Sequence, residues 1–300
     1  MKTVALVTGG TGFIGSHLCN KLYENNYHVI AVGFSGENTP NCHQLYRMPL
    51  DQIPHSEIGK IDICFHQAAN NDTLDSNLDK MLQANVIQPS TLFRNLLQQN
   101  NCKNFVYASS CSVYGNQPCP FDELETNPEP LNPYAVSKLE FEKFASDFGE
   151  LHGLQVVGLR YTNVYGLGED HKGRRASMLS QMLNKIQKDE TVNLFRDGEQ
   201  ERDWIYVDDV VNANIKASEA KESGLFNVGY SMSYSFNFLV KLISDKLRKK
   251  PMIEYIDCSF QDQYQSKTSV RMFRTKEILH FVPKWSPWEA LDEMIKKATS

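Results

Sequence analysis

A glycine-rich turn between a strand and a helix limits the fold of this chain more than any other feature of its sequence. A β-rich run at residues 3–8 leads into the turn, whose sequence is Gly9-Gly10-Thr11-Gly12-Phe13-Ile14-Gly15. Apolar residues then recur at helical spacing, at Phe13, Ile14, Leu18 and Leu22. In such a unit the glycines let the backbone approach a pyrophosphate, and the helix start offers free N–H groups. We therefore predict a dinucleotide site with contacts from Gly9, Gly12, Phe13, Ile14 and Gly15.

Strands and helices alternate through the first half of the chain. Runs of β-forming residues lie at 28–33, 61–66, 104–109 and 156–161, with helical patterns between them. Two of the helical patterns, at 74–84 and 86–99, are separated near Asn85. This alternation predicts an α/β fold with a Rossmann-type, doubly wound parallel sheet.

Beyond residue 161 the alternation becomes irregular. Residues 162–175 predict a long polar loop, which in a compact domain is usually functional or disordered. An amphipathic helix near 177–188 follows, and the pattern at 202–210 predicts a strand that enters a helix returning to the sheet. From about residue 230 the pattern predicts helices and one short strand, at 253–256.

The two patterns predict two domains. We expect residues 1–161, together with about 200–228, to form an NAD(P)-binding domain. The remaining parts, about 162–199 and 229–300, are expected to form a smaller C-terminal α/β lobe that binds the substrate.

The second predicted strand ends at Gly33, about where an NAD-specific site offers a carboxylate to the ribose hydroxyls. Without that carboxylate a 2′-phosphate is not repelled, and Ser35 could donate a hydrogen bond to it. The sequence thus favours NADP over NAD. NAD stays open as the alternative because Glu37 follows shortly after and could serve the ribose.

Three more residues are predicted to line the cofactor site. Ala68 and Ala69 follow the strand at 61–66, where small side chains let a cofactor lie close. Asn85, between the two helical patterns, is assigned to the same site.

The stretch Asn132-Pro133-Tyr134-Ala135-Val136-Ser137-Lys138 predicts a helix start that carries a phenol and an amine. Asn132 can cap the helix and Pro133 suits its first position. Tyr134 and Lys138 are four residues apart and share a face, so the ammonium would favour the phenolate and allow Tyr134 to move protons. The strand at 104–109 ends beside Ser110, which is predicted to bring its hydroxyl to the same edge of the sheet.

Composition and charge exclude several classes of function. The net charge is −5, and the short basic run at 246–250 is interpreted as a solvated helix end, which argues against nucleic acid and membrane surfaces as partners. No apolar run reaches the ~18 residues that span a bilayer, and no leader pattern precedes the first strand, so we expect a cytoplasmic protein. The seven cysteines include no C-x-x-C pair and the eight histidines no H-x-x-x-H, so neither a disulfide framework nor a metal site is predicted.

Four motifs together resemble those of the extended short-chain dehydrogenase/reductase family. They are the glycine turn at 9–15, Ser110, Tyr134-x-x-x-Lys138, and Arg202-Asp203-Trp204-Ile205-Tyr206-Val207-Asp208-Asp209-Val210. The resemblance implies that Ser110 holds a sugar hydroxyl or carbonyl and that Tyr134 exchanges its proton. It also implies that Lys138 binds the nicotinamide ribose and lowers the pKa of the phenol. Members commonly pair through helices equivalent to 86–99 and 134–151, so a homodimer or higher homo-oligomer is expected.

Within that family, residues 160–166 and 169–178 are similar to those of the ADP-glycero-manno-heptose 6-epimerases. The segment at 253–256, followed by Tyr264, Gln265 and Thr268, is similar to their C-terminal lobe. The resemblance implies that Lys172 is a second acid/base opposite the tyrosine. The chain departs from the subfamily pattern at Thr162, Leu167 and Gln263.

The substrate implied by the resemblance is a nucleotide-diphosphate sugar. Arg202 is expected to contact its diphosphate. The other residues assigned to substrate binding are Ser110, Asn163, His171, Lys172, Ser177 and Tyr264. For His171, a structural role in the loop is the alternative.

The function predicted is an NADP-dependent nucleotide-sugar epimerase that oxidises a carbinol carbon and returns the hydride to the other face. A 4-epimerase or ketoreductase of the same family is the first alternative, and a non-catalytic dinucleotide-binding sensor is the second. Dehydration at the sugar 5,6 positions is disfavoured because Cys111 and Ser112 stand where family dehydratases carry an acidic pair.

Overall fold

Seven parallel strands form the main sheet of the computed structural model, which describes residues 2–34, 38–257 and 265–298. The strands of this sheet, in chain order, are β1 (Val4–Thr8), β2 (His28–Val32), β3 (Gln44–Tyr46), β4 (Ile63–His66), β5 (Asn104–Ser110), β6 (Gln155–Tyr161) and β10 (Gly224–Val228). Their spatial order is β10-β6-β5-β4-β1-β2-β3. The order reverses between β1 and β4, and ligands of open α/β sheets bind beyond the carboxyl ends of the strands at such a reversal.

Helices cover both faces of this sheet, as the predicted doubly wound fold requires. The helices of this part are α1 (Phe13–Glu24), α2 (His55–Ile58), α3 (Leu78–Leu82), α4 (Gln88–Asn100), α5 (Pro133–His152), α7 (Val207–Ser218) and α9 (Phe273–Leu279). On one face Leu18 of α1 and Val210 of α7 enter the core, and on the other Phe93 of α4 and Phe141 of α5 do so. The α/β fold predicted from the sequence is confirmed.

The expected break between two helices near Asn85 is wrong. Helix α3 continues through a π-helical turn, Gln83–Ile87, directly into α4. The wider turn places Asn85 on the inner side, where it is 3% exposed and hydrogen-bonded. In the sequence, a buried asparagine interrupts the apolar helical pattern, and the pattern alone does not distinguish a π-turn from a break between two helices.

A smaller set of elements packs beside the carboxyl ends of the main sheet. Its strands and helices are β7 (Asn163–Tyr165), α6 (Met178–Gln187), β8 (Val192–Phe195), β9 (Glu201–Tyr206), β11 (Ser233–Ser235), α8 (Phe236–Leu247), β12 (Ile253–Ile256) and α10 (Pro287–Ala298). Strand β9 pairs with β7 and β11, while β8 pairs with β12. These elements, except β12, contribute to a third apolar cluster that includes Trp204 and Leu239.

The division of the chain into two lobes stays a prediction, but the structure locates the elements at its boundary. Strand β9 belongs to the three-stranded sheet, whereas α7 and β10, which follow it, pack in the main sheet's layers. The predicted loop at 162–175 contains β7 and a 3₁₀ turn, Asp170–Arg175. None of the helices formed by the described residues is long and apolar enough to cross a bilayer.

Candidate active site

Helix α5 begins as its sequence predicts. The Asn132 side chain accepts a hydrogen bond of 2.9 Å from the backbone N–H of Ala135, and Pro133 holds the first helical position. The cap fixes where the helix starts and so fixes which face Tyr134 and Lys138 share. The Lys138 Nζ lies 5.8 Å from the centroid of the Tyr134 ring.

Lys138 is buried at the centre of the site. Its side chain is 5% exposed, and its Nζ donates a 2.9 Å hydrogen bond to the backbone carbonyl of Ala108 on β5. Burial disfavours the ammonium and lowers the pKa of Lys138 to about 8, although the carboxylate of Glu142 opposes that shift. The amine thus stays mainly charged at neutral pH.

Tyr134 does not have the lowered pKa expected from its neighbouring lysine. Burial around the phenol raises the pKa of Tyr134 to about 12, and a hydrogen bond with the Ser110 hydroxyl offsets only part of the rise. The expectation is wrong for this geometry because desolvation of a phenolate outweighs the partners that favour it. Without ligands, Tyr134 is a neutral phenol that can donate a proton.

Ser110 is the last residue of β5 and is half-buried. Its Oγ accepts a 3.2 Å hydrogen bond from the backbone N–H of Ser112, which caps a 3₁₀ turn, Cys111–Tyr114. The Ser110 hydroxyl lies close enough to the Tyr134 phenol to favour its phenolate, so the strand end and the helix start meet. The structure therefore brings together the predicted hydroxyl, phenol and amine at the carboxyl edge of the sheet.

The glycine turn is packed too closely for side chains. A Cβ at Gly9, whose φ is +69°, would lie 2.7 Å from the backbone nitrogen of Ala68, and one at Gly15 would lie 2.1 Å from the carbonyl oxygen of Gly9. Helix α1 begins after Gly12 with no side chain capping it. Its first N–H groups are thus available to a pyrophosphate, so the turn fits the predicted dinucleotide.

Gly33 is a glycine for a packing reason that the sequence does not show. A Cβ at this position would lie 2.1 Å from the Thr11 Oγ1, so Thr11 fills the space beside the end of β2. Ser35 and Glu37, the residues expected to meet the ribose or its phosphate, lie outside the described residues. The preference for NADP stays a prediction.

The residues after β4 that are predicted to line the cofactor site belong to a loop that is held by hydrogen bonds. Ala68 packs on Gly9, while Ala69 is exposed. The Asn85 side chain accepts a 2.8 Å hydrogen bond from the Asn70 N–H and donates to the Asn70 carbonyl and the Ser137 hydroxyl, both at 2.9 Å. Asn85 therefore ties this loop to α5, and a direct contact with the cofactor stays a prediction.

The side chain of Lys172 is held in place by two contacts. Its Nζ forms a 2.8 Å ion pair with Glu169 and lies 4.8 Å from the centroid of the Phe13 ring, at the start of α1. Glu169 is 2% exposed and also accepts hydrogen bonds from Gly166, Ser177 and Ser180. The buried carboxylate thus organises the predicted polar loop around itself, and the acid/base role of Lys172 stays a prediction.

The other predicted substrate residues are also in contact with the protein. Ser177 caps α6 and donates to Glu169, and His171 lies half-buried on the preceding 3₁₀ turn. Asn163 accepts a 3.5 Å hydrogen bond from Thr268. Arg202 is 6% exposed, and its guanidinium donates to the backbone carbonyls of residues 201, 265 and 266. Tyr264 and Gln263 lie outside the described residues.

One buried cluster beneath the site was missed by the sequence interpretation. Glu142 of α5 accepts hydrogen bonds from Arg160 of β6 and from Ser109 of β5. The available signal was the position of Glu142, four residues after Lys138 and on the same helical face. No group of three or more His, Cys, Asp or Glu in the described ranges is arranged to hold a metal ion.

Known proteins resemble this chain over nearly all of its length. A model of the NAD-dependent epimerase/dehydratase family matches residues 5–229. A relative named ADP-L-glycero-D-manno-heptose-6-epimerase, from Brachyspira hyodysenteriae, is 34% identical over 278 residues, which cover 87% of this chain and 86% of that protein.

Two solved structures share the fold. UDP-N-acetylglucosamine 4-epimerase from Methanobrevibacter ruminantium M1, in complex with UDP-N-acetylmuramic acid, has a TM-score of 0.91 at 30% identity and is matched over 100% of this chain and 99% of that chain. MoeE5 in complex with UDP-glucose and NAD has a TM-score of 0.87 at 27% identity, with 99% of each chain covered. These proteins differ from the heptose epimerase in the sugars that their names give.

Proposed function

The chain belongs to the NAD-dependent epimerase/dehydratase family, and on that basis we propose that it is a nucleotide-sugar epimerase of the ADP-glycero-manno-heptose 6-epimerase type. One observation carries the proposal: Ser110, Tyr134 and Lys138 meet at the carboxyl edge of the sheet that also carries the glycine turn. A hydroxyl, a phenol and an amine at that place can hold a carbinol oxygen and move its proton.

The cofactor that we propose is NADP, which when bound takes a hydride from the sugar and returns it. The open start of α1 and the turn at Gly9 would hold its pyrophosphate, and Lys138 would bind its nicotinamide ribose. The missing carboxylate at Gly33 supports NADP. NAD is the alternative, since it is named in the description of the matched family and in the MoeE5 complexes.

Ser110 and Tyr134 would handle the proton on one face of the sugar carbon. The Ser110 hydroxyl holds the sugar oxygen and the neutral Tyr134 phenol gives a proton to a carbonyl. For the reverse step Tyr134 has to be a phenolate, which the Lys138 ammonium 5.8 Å from its ring attracts. Epimerisation also needs a proton-transfer group on the opposite face, and Lys172 is the residue that we propose for it.

A second candidate function is a nucleotide-sugar 4-epimerase or ketoreductase. The observation that favours it is the ion pair between Lys172 and Glu169, which engages the amine that the first candidate requires. In this alternative Lys172 only holds the segment around Glu169 in place.

A panel of nucleotide sugars tests the two functions. The protein is loaded with NADP or NAD and incubated with ADP-glycero-manno-heptose, UDP-glucose or UDP-N-acetylglucosamine, and the product configuration is read by NMR. We expect inversion of the heptose carbon, with a deuterium label on that carbon retained because the hydride returns to it. Inversion of a UDP-sugar would establish the 4-epimerase, and cofactor binding with no turnover would establish the sensor.

The smaller set of elements is proposed as the substrate lobe. Arg202, Asn163 and Ser177 lie in it, and the first of them would contact the diphosphate. A homodimer through α4 and α5 is proposed as well, since Ile87 is 52% and Leu151 78% exposed near these helices. Light scattering on the purified protein measures the mass, and a monomer would contradict the dimer.

A further inference from the structure

A buried ion pair lies one helical turn from the candidate active site. The guanidinium of Arg160 donates to both carboxylate oxygens of Glu142, with distances of 2.9 Å from Nε and 2.6 Å from Nη2. Both side chains are 3% exposed. The Ser109 hydroxyl donates to the same carboxylate. Two opposite charges are thus kept out of water at a place where the proposed mechanism gives them no part.

The pair joins the three elements that form the site. Glu142 is on α5, four residues after Lys138 and eight after Tyr134, so the three side chains follow one face of the helix. Ser109 immediately precedes Ser110 on β5, and it is opposite Arg160 in the register of β5 and β6. The carboxylate therefore links the helix that carries the phenol and amine to the strand that carries the hydroxyl.

Few charges other than this pair act on Lys138. Five titratable groups among the described residues have electrostatic or ring contacts with Lys138 or with the pair. Cys111, which follows β5, is a neutral thiol because burial raises its pKa. His66 on β4 is neutral because burial lowers its pKa to about 3, and Tyr107 on β5 is neutral because burial raises its pKa. Tyr134 on α5 is a neutral phenol, and Tyr114 carries the Arg160 guanidinium 4.7 Å above its ring. Glu142 and Arg160 are the charges left to balance the amine.

We propose that Glu142 and Arg160 are positioning residues, which align Tyr134 and Lys138 with Ser110 and keep Lys138 charged at neutral pH. The carboxylate attracts the ammonium, and the guanidinium cancels part of that attraction. This inference rests on the proposed function only in that Lys138 is taken to bind the cofactor as an ammonium. It does not depend on which sugar is the substrate.

The test is the pH dependence of cofactor affinity in two neutralised variants. In the wild type we expect the affinity for NADP to fall as Lys138 loses its proton, with a midpoint near pH 8. Glu142→Gln removes the attracting charge and should move the midpoint down by about one pH unit, whereas Arg160→Gln removes the opposing charge and should move it up by a similar amount. Calorimetric titrations between pH 6 and 10 cover both expected midpoints, and the cofactor phosphate, which titrates near pH ~6, contributes in the same way to every variant.

A matched control and a milder variant complete the test. Glu140→Gln removes the same charge from the same helix, at an exposed pair with Lys143, and should leave the midpoint unchanged. Ser109→Ala removes one hydrogen-bond donor from the Glu142 carboxylate and keeps the ion pair. The carboxylate then attracts the Lys138 ammonium slightly more, so the midpoint of this variant should move up, by less than the midpoint of Arg160→Gln. This variant tests the idea even if a neutralised pair does not fold.

The midpoint shifts expected for Glu142→Gln and Arg160→Gln have opposite signs. This distinguishes a positioning role from a role in stabilising the fold alone. If all variants lower affinity without moving the midpoint, or if both neutralised variants move it the same way, the inference is wrong. If the wild type binds neither NADP nor NAD, the proposed function fails instead. Shifts of opposite sign in a protein that epimerises no sugar would uphold the inference and contradict the epimerase.

Discussion

The cofactor side and the substrate side of the candidate site are built differently. The cofactor side carries Tyr134 and Lys138, and next to them lies Ser110, which is proposed to hold the sugar oxygen. The positions of all three follow from one helix start and one strand end. The substrate side includes Lys172 and Arg202, whose charged groups are engaged with Glu169 and with backbone carbonyls. The two lysines show the contrast: Lys138 donates to a backbone carbonyl, while Lys172 pairs with a buried carboxylate.

This difference shows which groups can act without rearrangement. The phenol of Tyr134 and the amine of Lys138 already lie together, so a sugar carbonyl could take the proton of the phenol without a change of side-chain positions. Lys172 has to exchange Glu169 for the sugar before it can transfer a proton. We therefore expect substitutions on the cofactor side to affect the chemical step most, and those on the substrate side to affect binding or only one direction of the reaction.

The largest effect is expected for Tyr134→Phe, which removes the proton-transferring hydroxyl and keeps the ring. We expect kcat to fall by about 10³-fold or more, within the range for loss of a general acid/base. Steady-state kinetics with the substrate found in the panel measure it, and the affinity for NADP serves as the control because the ring and Lys138 remain. A tenfold loss or less would mean that another group moves the proton.

Lys172→Met tests whether the substrate side takes part in the chemistry. We expect net epimerisation to fall by about 10²-fold or more, since one face of the carbon loses its acid/base. Glu169→Gln should have a smaller effect on kcat, because the amine stays present but loses its partner. Near wild-type epimerisation by Lys172→Met would contradict the two-group mechanism and favour the 4-epimerase or reductase.

Arg202→Ala should raise KM by about tenfold with little change in kcat, as loss of a charged hydrogen bond to a diphosphate does. Arg202→Lys is the comparison, because it keeps the charge but loses the planar fork. Since Arg202 also holds the carbonyls of residues 265 and 266, thermal unfolding of both variants is measured beside the kinetics. A collapse of kcat at unchanged KM would place Arg202 in the chemical step.

The smallest effect concerns the choice of cofactor. Gly33→Asp alone should weaken both cofactors, because its Cβ would lie 2.1 Å from Thr11 Oγ1. The double variant with Thr11→Gly empties that space. There the aspartate should reverse the predicted preference for NADP and favour NAD by about tenfold, because it accepts hydrogen bonds from the ribose hydroxyls and repels a 2′-phosphate. Calorimetry measures both affinities, with Thr11→Gly as the control. Tighter binding of NAD than NADP by the wild type would contradict the predicted preference.

Much of the fold could be predicted because the relevant patterns are local. The order of strand, glycine turn and helix around Gly12 and the capped start of α5 at Asn132 both follow from interactions within a few residues. The π-turn around Asn85 was missed because the residue's partners, Asn70 and Ser137, are distant in sequence. The same holds for Glu169, whose five donors could not be assigned from a loop pattern.

The sequence by itself determined that a phenol and an amine share one face of a helix at the edge of a parallel sheet. Helical geometry and capping fix this, and both act between near neighbours. Only the tertiary structure decided the charge state of these groups: the pKa of Tyr134 is raised to about 12 and that of Lys138 lowered to about 8. The cause is desolvation by residues from many parts of the chain, and the electrostatic balance at Lys138 includes Glu142 paired with Arg160 on another strand. Spacing along a helix sets which groups meet, but the packing of the whole chain sets how much water they keep.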